Sequence, residues 1–305
     1  MNGYPPVTSA SAPATRRPDP VIYVLEPFGG SARRHNPALP HLYFDDAAVT
    51  RGDGVFETLL VREGRAVKMD RHLDRFTASA RAMGLPDVDT RQWERATAEA
   101  AAEWSATNGD AEARCTWTYS HGRASSGLPT AWVIVQGLSP ETCELRERGV
   151  KVVTTTRGYT LTDTPEWFPG GAKTLSYAHT AAALRWAREQ GAEDVLFLES
   201  PEGKVLEGAT SSVIVVKPGR KLRTPPSGSG VLAGTTQAAI FELAEARGWR
   251  CRTRELTYED LFEAESVWLV SSTRMAVRVR RLDGRKLPGG PLDDEVRELV
   301  DAALS

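Results

Sequence analysis

The stretch Gly171-Ala-Lys-Thr-Leu-Ser-Tyr177 decides how this chain is read, because two others follow it in order: Leu206-Glu-Gly-Ala-Thr-Ser-Ser212 and Leu232-Ala-Gly-Thr-Thr236. Lys173 offers an amine beside Leu175 and Tyr177, and burial or nearby positive charge favours its unprotonated form. Glu207 lies on an expected strand between Val205-Leu206 and Gly208-Ala209. A carboxylate among apolar and small residues is partly buried and needs a partner. Gly234-Thr235-Thr236 opens an expected helix, whose free N–H groups and positive dipole end attract an anion while two hydroxyls add donors. Taken singly, each has a bland reading: a solvated lysine, an edge-strand glutamate and a threonine N-cap. The ordered set carries the argument.

Composition narrows the classes around that set. The 305 residues suffice for one large or two moderate domains. A formal charge of -2 gives no bias toward nucleic acid or membrane. Cys115, Cys143 and Cys251 lie far apart without metal or redox spacing and read as reduced thiols. No run approaches the roughly 18 apolar residues of a membrane span, and the N-terminus has no signal-peptide core. A cytoplasmic protein is expected. The histidines at 35, 41, 72, 121 and 179 show no metal-ligand spacing, so no metal site is expected. Arg51-Gly-Asp53, ahead of Gly54 and a strand, reads as a turn rather than an adhesion motif.

Residues 1–20, rich in Pro, Ser, Ala and Thr, read as a disordered tail, and 29–37 as a loop. Residues 21–159 read as a small α/β domain. Its elements are a strand at 21–25, a hairpin from Phe56, helices at 71–84 and 90–107, and strands at 114–119, 131–136 and 150–155. Leu73, Phe76, Ala80 and Met83 give the first helix its apolar stripe. Residues 160–171, dense in Pro and Gly, read as an inter-domain linker. Residues 172–305 read as a larger second domain. There, helices near 177–190, 235–247, 258–264 and from 292 alternate with strands at 194–199, 204–207, 211–217 and 266–272. The fold class is α/β (α+β) in two domains.

An amine for a Schiff base, a carboxylate for a ring nitrogen and a helix start for a phosphate suit pyridoxal 5'-phosphate. Ser271-Ser-Thr273 ends an expected strand and offers a further phosphate donor. Arg75, on the polar face of the first helix, offers a bidentate contact.

Arg51-Gly-Asp-Gly-Val-Phe-Glu-Thr58, His72-Leu-Asp-Arg75, Lys173-Thr-Leu-Ser-Tyr177, Leu206-Glu-Gly208 and Leu232-Ala-Gly-Thr-Thr236 together resemble the fold-type IV (class IV) pyridoxal-phosphate enzymes. These include branched-chain and D-amino-acid aminotransferases and aminodeoxychorismate lyases. The resemblance runs from about residue 40 to the C-terminus. It implies the cofactor in a cleft between a small N-terminal and a larger C-terminal domain, and a homodimer. It further implies Lys173 as Schiff-base lysine and proton shuttle, and Glu207 as partner of the ring nitrogen. Arg75, Gly234, Thr235, Thr236 and Thr273 would hold the phosphate, Leu232 would pack on the ring, and Tyr177 would contact the phenolic oxygen.

The branch is read from Phe56-Glu-Thr58 and Lys173-Thr-Leu-Ser-Tyr-Ala178, which resemble many aminodeoxychorismate lyases. In those, a threonine at the place of Thr58 is a candidate proton donor. One departure stands out: where lyases and D-amino-acid aminotransferases often carry Ser/Thr-Arg-Gly, this chain has Tyr119-Ser-His-Gly-Arg123. His121 and Arg123 are the candidates for the substrate's carboxylate clamp. The expected function is a lyase forming 4-aminobenzoate and pyruvate from 4-amino-4-deoxychorismate. The alternative is a transaminase of branched-chain or D-amino acids. A non-catalytic scaffold would have no need of an intact Lys173, Glu207 and phosphate set.

Overall fold

Gly54-Val-Phe-Glu-Thr-Leu-Leu-Val-Arg62 alternates as a strand with two different faces should. Val55, Leu59 and Val61 enter one core, while Phe56 and Thr58 face a cavity. In the computed structural model, which describes residues 18–26, 30–157, 168–228 and 230–305, this segment is strand β3 (Gly54–Arg62).

The first sheet also contains β1 (Val21–Leu25), β2 (Ala32–His35), β4 (Arg65–Ala66), β5 (Ala113–Ser120) and β6 (Thr130–Gly137), in the order β2-β1-β6-β5-β3-β4. Helices α2 (Met69–Ala82) and α3 (Thr90–Asn108) cover one face, and α1 (Ala47–Thr50) precedes β3. His72, Leu73, Phe76, Ser79 and Ala80 form the buried stripe of α2. Phe76, Trp93, Trp117 and Tyr119 stack between sheet and helices, and the indole N–H of Trp117 donates to Thr97 Oγ1 at 2.8 Å.

After α4 (Pro140–Arg148) the chain enters a nine-stranded sheet through β7 (Val150–Thr156). There follow α5 (Ala178–Glu189), β8 (Asp194–Leu198), β9 (Val205–Gly208), β10 (Ser212–Lys217), β11 (Lys221–Thr224), α6 (Thr235–Ala246), β12 (Arg250–Thr253), α7 (Tyr258–Phe262), β13 (Ser266–Ser271), β14 (Met275–Leu282), β15 (Arg285–Lys286) and α8 (Asp293–Ala303). The order is β12-β11-β10-β13-β14-β7-β8-β9, with β15 beside β14. One core lies under α6 and α8, around Ile240, Trp268 and Leu299. A second holds Val150, Leu196, Val213 and Leu269.

The sequence places the strand at 150–155 in the first unit. The structure instead pairs it in parallel with β14 and β8, with Val152 opposite Asp194. The change of sheet therefore falls between Gly137 and Val150, because a strand's own residues carry no mark of a distant parallel partner. The loop expected at 29–37 contains β2, an edge strand of Ala-Arg-Arg-His whose composition hides it. The expected tail at 1–20 and linker at 160–171 lie mostly outside the described residues.

The two units meet where residues 173–175 run beside β3. The Phe56 N–H donates to the Lys173 carbonyl at 3.0 Å, and the Leu175 N–H donates to the Gly54 carbonyl at 2.9 Å. Gly54 permits this approach: a Cβ there would lie 2.5 Å from the Tyr119 carbonyl oxygen and 2.9 Å from Leu175 Cδ1. Gly54→Ala should therefore cost about 1–3 kcal/mol as overpacking, read as a lower urea midpoint. An unchanged midpoint would show that the junction yields freely.

Candidate active site

The site is organised behind its visible surface, around a carboxylate with no exposure. Glu57 points from β3 toward α2, and α2 answers with residues at helical spacing. Arg75 grips Glu57 through Nε at 2.7 Å and Nη2 at 2.8 Å, and His72 Nδ1 lies 2.8 Å from the same carboxylate. Burial opposes the ionised form of Glu57. The Arg75 charge and the hydrogen bonds from Arg75 and His72 together outweigh it and hold the carboxyl at about 2. Burial also lowers the His72 pKa, against the pull of Glu57. A neutral His72 donating from Nδ1 keeps Nε2 as an acceptor, and Nε2 lies 3.4 Å from both Thr235 Oγ1 and Ser272 Oγ. Seven residues along α2 from His72, Ser79 Oγ accepts the Lys173 backbone N–H at 3.1 Å.

Pinned there, Lys173 directs Nζ to 4.3 Å from the centre of the Phe56 ring. Its amine makes no hydrogen bond or ion pair among the described residues. Burial brings its pKa down to about 8; Glu57 and Glu207 draw it up, and Arg75 adds to the lowering.

Thr235 and Thr236 occupy the first turn of α6, whose N-cap Gly234 supplies no side chain to the free N–H groups. A Cβ at Gly234 would collide with Ser212 Oγ. Thr236 Oγ1 lies 3.5 Å from Ser272 Oγ, and Arg75 Nη1 donates to the Ala233 carbonyl at 2.7 Å. With three of its five N–H groups thus engaged, Arg75 retains two. Buried Ser211 Oγ has no partner among the described residues.

Glu207, at the other side, accepts from Arg157 Nη2 at 2.5 Å and from the Leu232 N–H at 3.0 Å. Burial is the largest influence and leaves its pKa raised, despite Arg157, Leu232 and Lys173.

These groups open on a cavity of about 1160 Å³. Thr58, Arg75, Lys173, Tyr177, Glu207 and Leu232 all line it, as do Gly234, Thr235, Thr236 and Thr273. His121 and Arg123 do not. His121 Nε2 lies 2.9 Å from the Met83 carbonyl, and Arg123 pairs with Asp45 at 3.0 Å and stacks on Tyr43. The two side chains expected to clamp the substrate's carboxylate thus lie outside the lining of this cavity. Sequence reasoning missed Glu57, His72, Ser79 and Arg157 as working parts. The spacing 72, 75, 79 on an otherwise apolar helix face was the available signal for His72 and Ser79; nothing local marked Arg157.

The arrangement fits pyridoxal 5'-phosphate: a half-buried amine without an ion pair among the described residues, an open helix start walled by hydroxyls, and a half-buried carboxylate across the cavity. Comparison with known proteins agrees. The profile of the family described as amino-transferase class IV matches residues 54–282. A Mycobacterium tuberculosis protein named bifunctional aminodeoxychorismate lyase / D-amino acid transaminase is 45% identical over 276 residues, covering 88% of this chain and 95% of that protein. A hypothetical aminotransferase from the same organism, solved in a PLP-bound form, superposes with a TM-score of 0.87 at 44% identity over 93% of this chain and 98% of that one. Its alpha-ketoglutarate and PMP bound form gives the same score and identity over 92% and 98%.

Glu57→Gln leaves the Arg75 guanidinium without its counter-charge and should cost roughly 3–5 kcal/mol at neutral pH. The sign in pH follows from a folded pKa of about 2 against an unfolded value of 4.5. The contribution is present above 4.5 and lost as pH falls toward 2. Urea titrations of both proteins between pH 7 and 3 should show the gap closing at the acid end. A gap independent of pH would mean that the carboxylate charge is not what holds α2.

Proposed function

This chain belongs to the class IV aminotransferase family and uses pyridoxal 5'-phosphate, and from that premise we propose that it cleaves 4-amino-4-deoxychorismate to 4-aminobenzoate and pyruvate. The bound cofactor supplies an aldehyde that condenses with amines and a protonated ring that withdraws electrons from the carbon bearing the amine. The remaining work falls to this chain's own groups. Lys173 holds the cofactor and, once displaced, takes the proton from the amine-bearing carbon. A pKa of about 8 keeps part of the amine unprotonated near neutral pH.

Glu207 would keep the proton on the ring nitrogen, and Leu232 would pack against the ring. Arg75, held by Glu57, joins Thr235, Thr236 and Thr273 at the phosphate, with the N–H groups following Gly234. Tyr177 contacts the phenolic oxygen. Thr58 protonates the three-carbon unit as its bond to the ring breaks, and aromatisation drives the reaction forward.

The observation that carries this reading is the place of Thr58, which faces the cavity from β3 two residues beyond Phe56, the ring beside Lys173 Nζ. The name of the M. tuberculosis relative supports it. That name also supports a second reading, transamination of D-amino acids by the same lysine, as does the alpha-ketoglutarate complex of the hypothetical aminotransferase. Both reactions fit one site.

We further propose a cytoplasmic homodimer. Among the described residues no helix is long and apolar enough to cross a membrane. Leu39, Tyr43, Phe44 and Val49 leave an apolar surface ahead of β3, with Phe44 86% exposed, of the kind a second copy covers.

Purified holoenzyme should convert aminodeoxychorismate to equal amounts of 4-aminobenzoate and pyruvate without a keto acid. Thr58→Val should slow that conversion about 100-fold while D-amino-acid transamination stays within a few-fold. Lys173→Ala should abolish both. Amino-group transfer that requires a keto acid, with no 4-aminobenzoate formed, would leave the transaminase alone.

A further inference from the structure

Arg114 is a cation on the wall of the cavity with no role in the scheme above. It lies on β5, an interior strand, and its side chain shares a sheet face with Thr116 and Thr118. Its cross-strand neighbours on that face are uncharged, and the nearest charges farther along it, Arg62 and Glu112, pair with each other. Arg114 stands between Leu60 and Gln136, Thr116 between Thr58 and Ile134, and Thr118 between Phe56 and Trp132. The other arginines of the cavity are engaged: Arg75 by Glu57, Arg157 by Glu207, and Arg274 by Asp194 at 2.6 Å. Arg114 has no hydrogen bond or ion pair among the described residues, and Glu207, the one carboxylate lining the cavity, is already paired. Arg114 is solvent-exposed where it lines the cavity, and a guanidinium whose whole fork is free there is a ready site for a carboxylate.

The register gives the reach. Lys173 Nζ lies against Phe56, opposite Thr118. Arg114 is four residues farther along β5, roughly 13 Å at about 3.3 Å per residue. With Arg114 and Lys173 both lining the same cavity, that separation leaves room for a ring or a five-carbon chain between the reacting amine and a second acid group.

We infer that Arg114 is the subsite for a second, remote carboxylate, and that the cavity selects amino and keto acids bearing one. The inference rests on the proposed function in that the reacting amine is taken to sit at Lys173. It deepens that reading, because both proposed reactions supply such an acid. Aminodeoxychorismate carries a carboxylate across the ring from its amine, and alpha-ketoglutarate is a five-carbon dicarboxylate. It also supplies a clamp where His121 and Arg123 do not.

The test uses holoenzyme and non-reacting acids. Calorimetric titration should show glutarate binding more tightly than butyrate by about 10- to 100-fold, the worth of a charge-assisted contact. Arg114→Gln should erase that ratio by weakening glutarate alone, and Arg114→Lys should restore part of it. In transamination, Arg114→Gln should lower kcat/KM for alpha-ketoglutarate but leave 2-oxobutanoate within about twofold, the scale of an uncharged surface change. A glutarate-to-butyrate ratio that Arg114→Gln does not move, or a wild type that does not prefer glutarate, overturns the subsite. If neither lyase nor transaminase turnover is found but the ratio still collapses in Arg114→Gln, the proposed reaction fails and the subsite stands.

Discussion

The buried carboxylate of Glu57 constrains the rest of the site. An ionised group with no exposure persists only when its charge and lone pairs are met. Glu57 is met from a single helix, by Arg75 and His72, so β3 and α2 hold one relative position. The consequence passes outward through the same two side chains. Arg75 reaches the Ala233 carbonyl just ahead of α6, and His72 presents Nε2 to Thr235 and Ser272. A charge pair inside the first unit thus sets the anion cradle of the second.

The same helix face settles the lysine. Ser79 accepts the Lys173 backbone N–H, and β3 supplies the neighbouring hydrogen bonds to residues 173–175. Position and electrostatics are therefore coupled. The groups that fix where Lys173 stands sit next to the Arg75 charge that, with burial, lowers its pKa. Thr58, two residues beyond Phe56, inherits its aim from the alternation that buries Glu57 on the opposite face. One strand delivers a structural anion to one side and a cavity-facing hydroxyl to the other.

How much of this was legible depended on whether the signal was local. Lys173, Glu207 and Gly234-Thr235-Thr236 lie in short motifs whose residue types announce an amine, an acid and an anion site, and all of them reach one cavity. Thr58 was named through the resemblance alone, and strand alternation sets the side it faces. Glu57 was quoted within a motif yet not understood, since its partners lie 15 and 18 residues away on another element. Arg157 was invisible, because its pairing with Glu207 spans 50 residues. His121 and Arg123 differ in the opposite sense, for they do not line the cavity. Their residue types suit a carboxylate, but Asp45 and the Met83 carbonyl engage them, and no pattern in the sequence declares such a prior claim. The sheet membership of β7 failed for a related reason, since parallel pairing joins segments far apart in the chain.

In the proposed scheme Glu207 meets a ring nitrogen, yet an arginine already holds it. A carboxylate offers about four lone-pair positions, and Arg157 and the Leu232 N–H use two of them. Burial favours the protonated form, and the raised pKa shows that pressure at work. Arg157 counters it without depending on Glu207 for its own position, because it also donates to the Gly230 carbonyl and stacks over Phe197. The carboxylate can therefore take a third, cationic donor, and a positive ring nitrogen lowers its pKa further still. In the proposed scheme Arg157 keeps Glu207 poised, and the ring nitrogen would be its third donor.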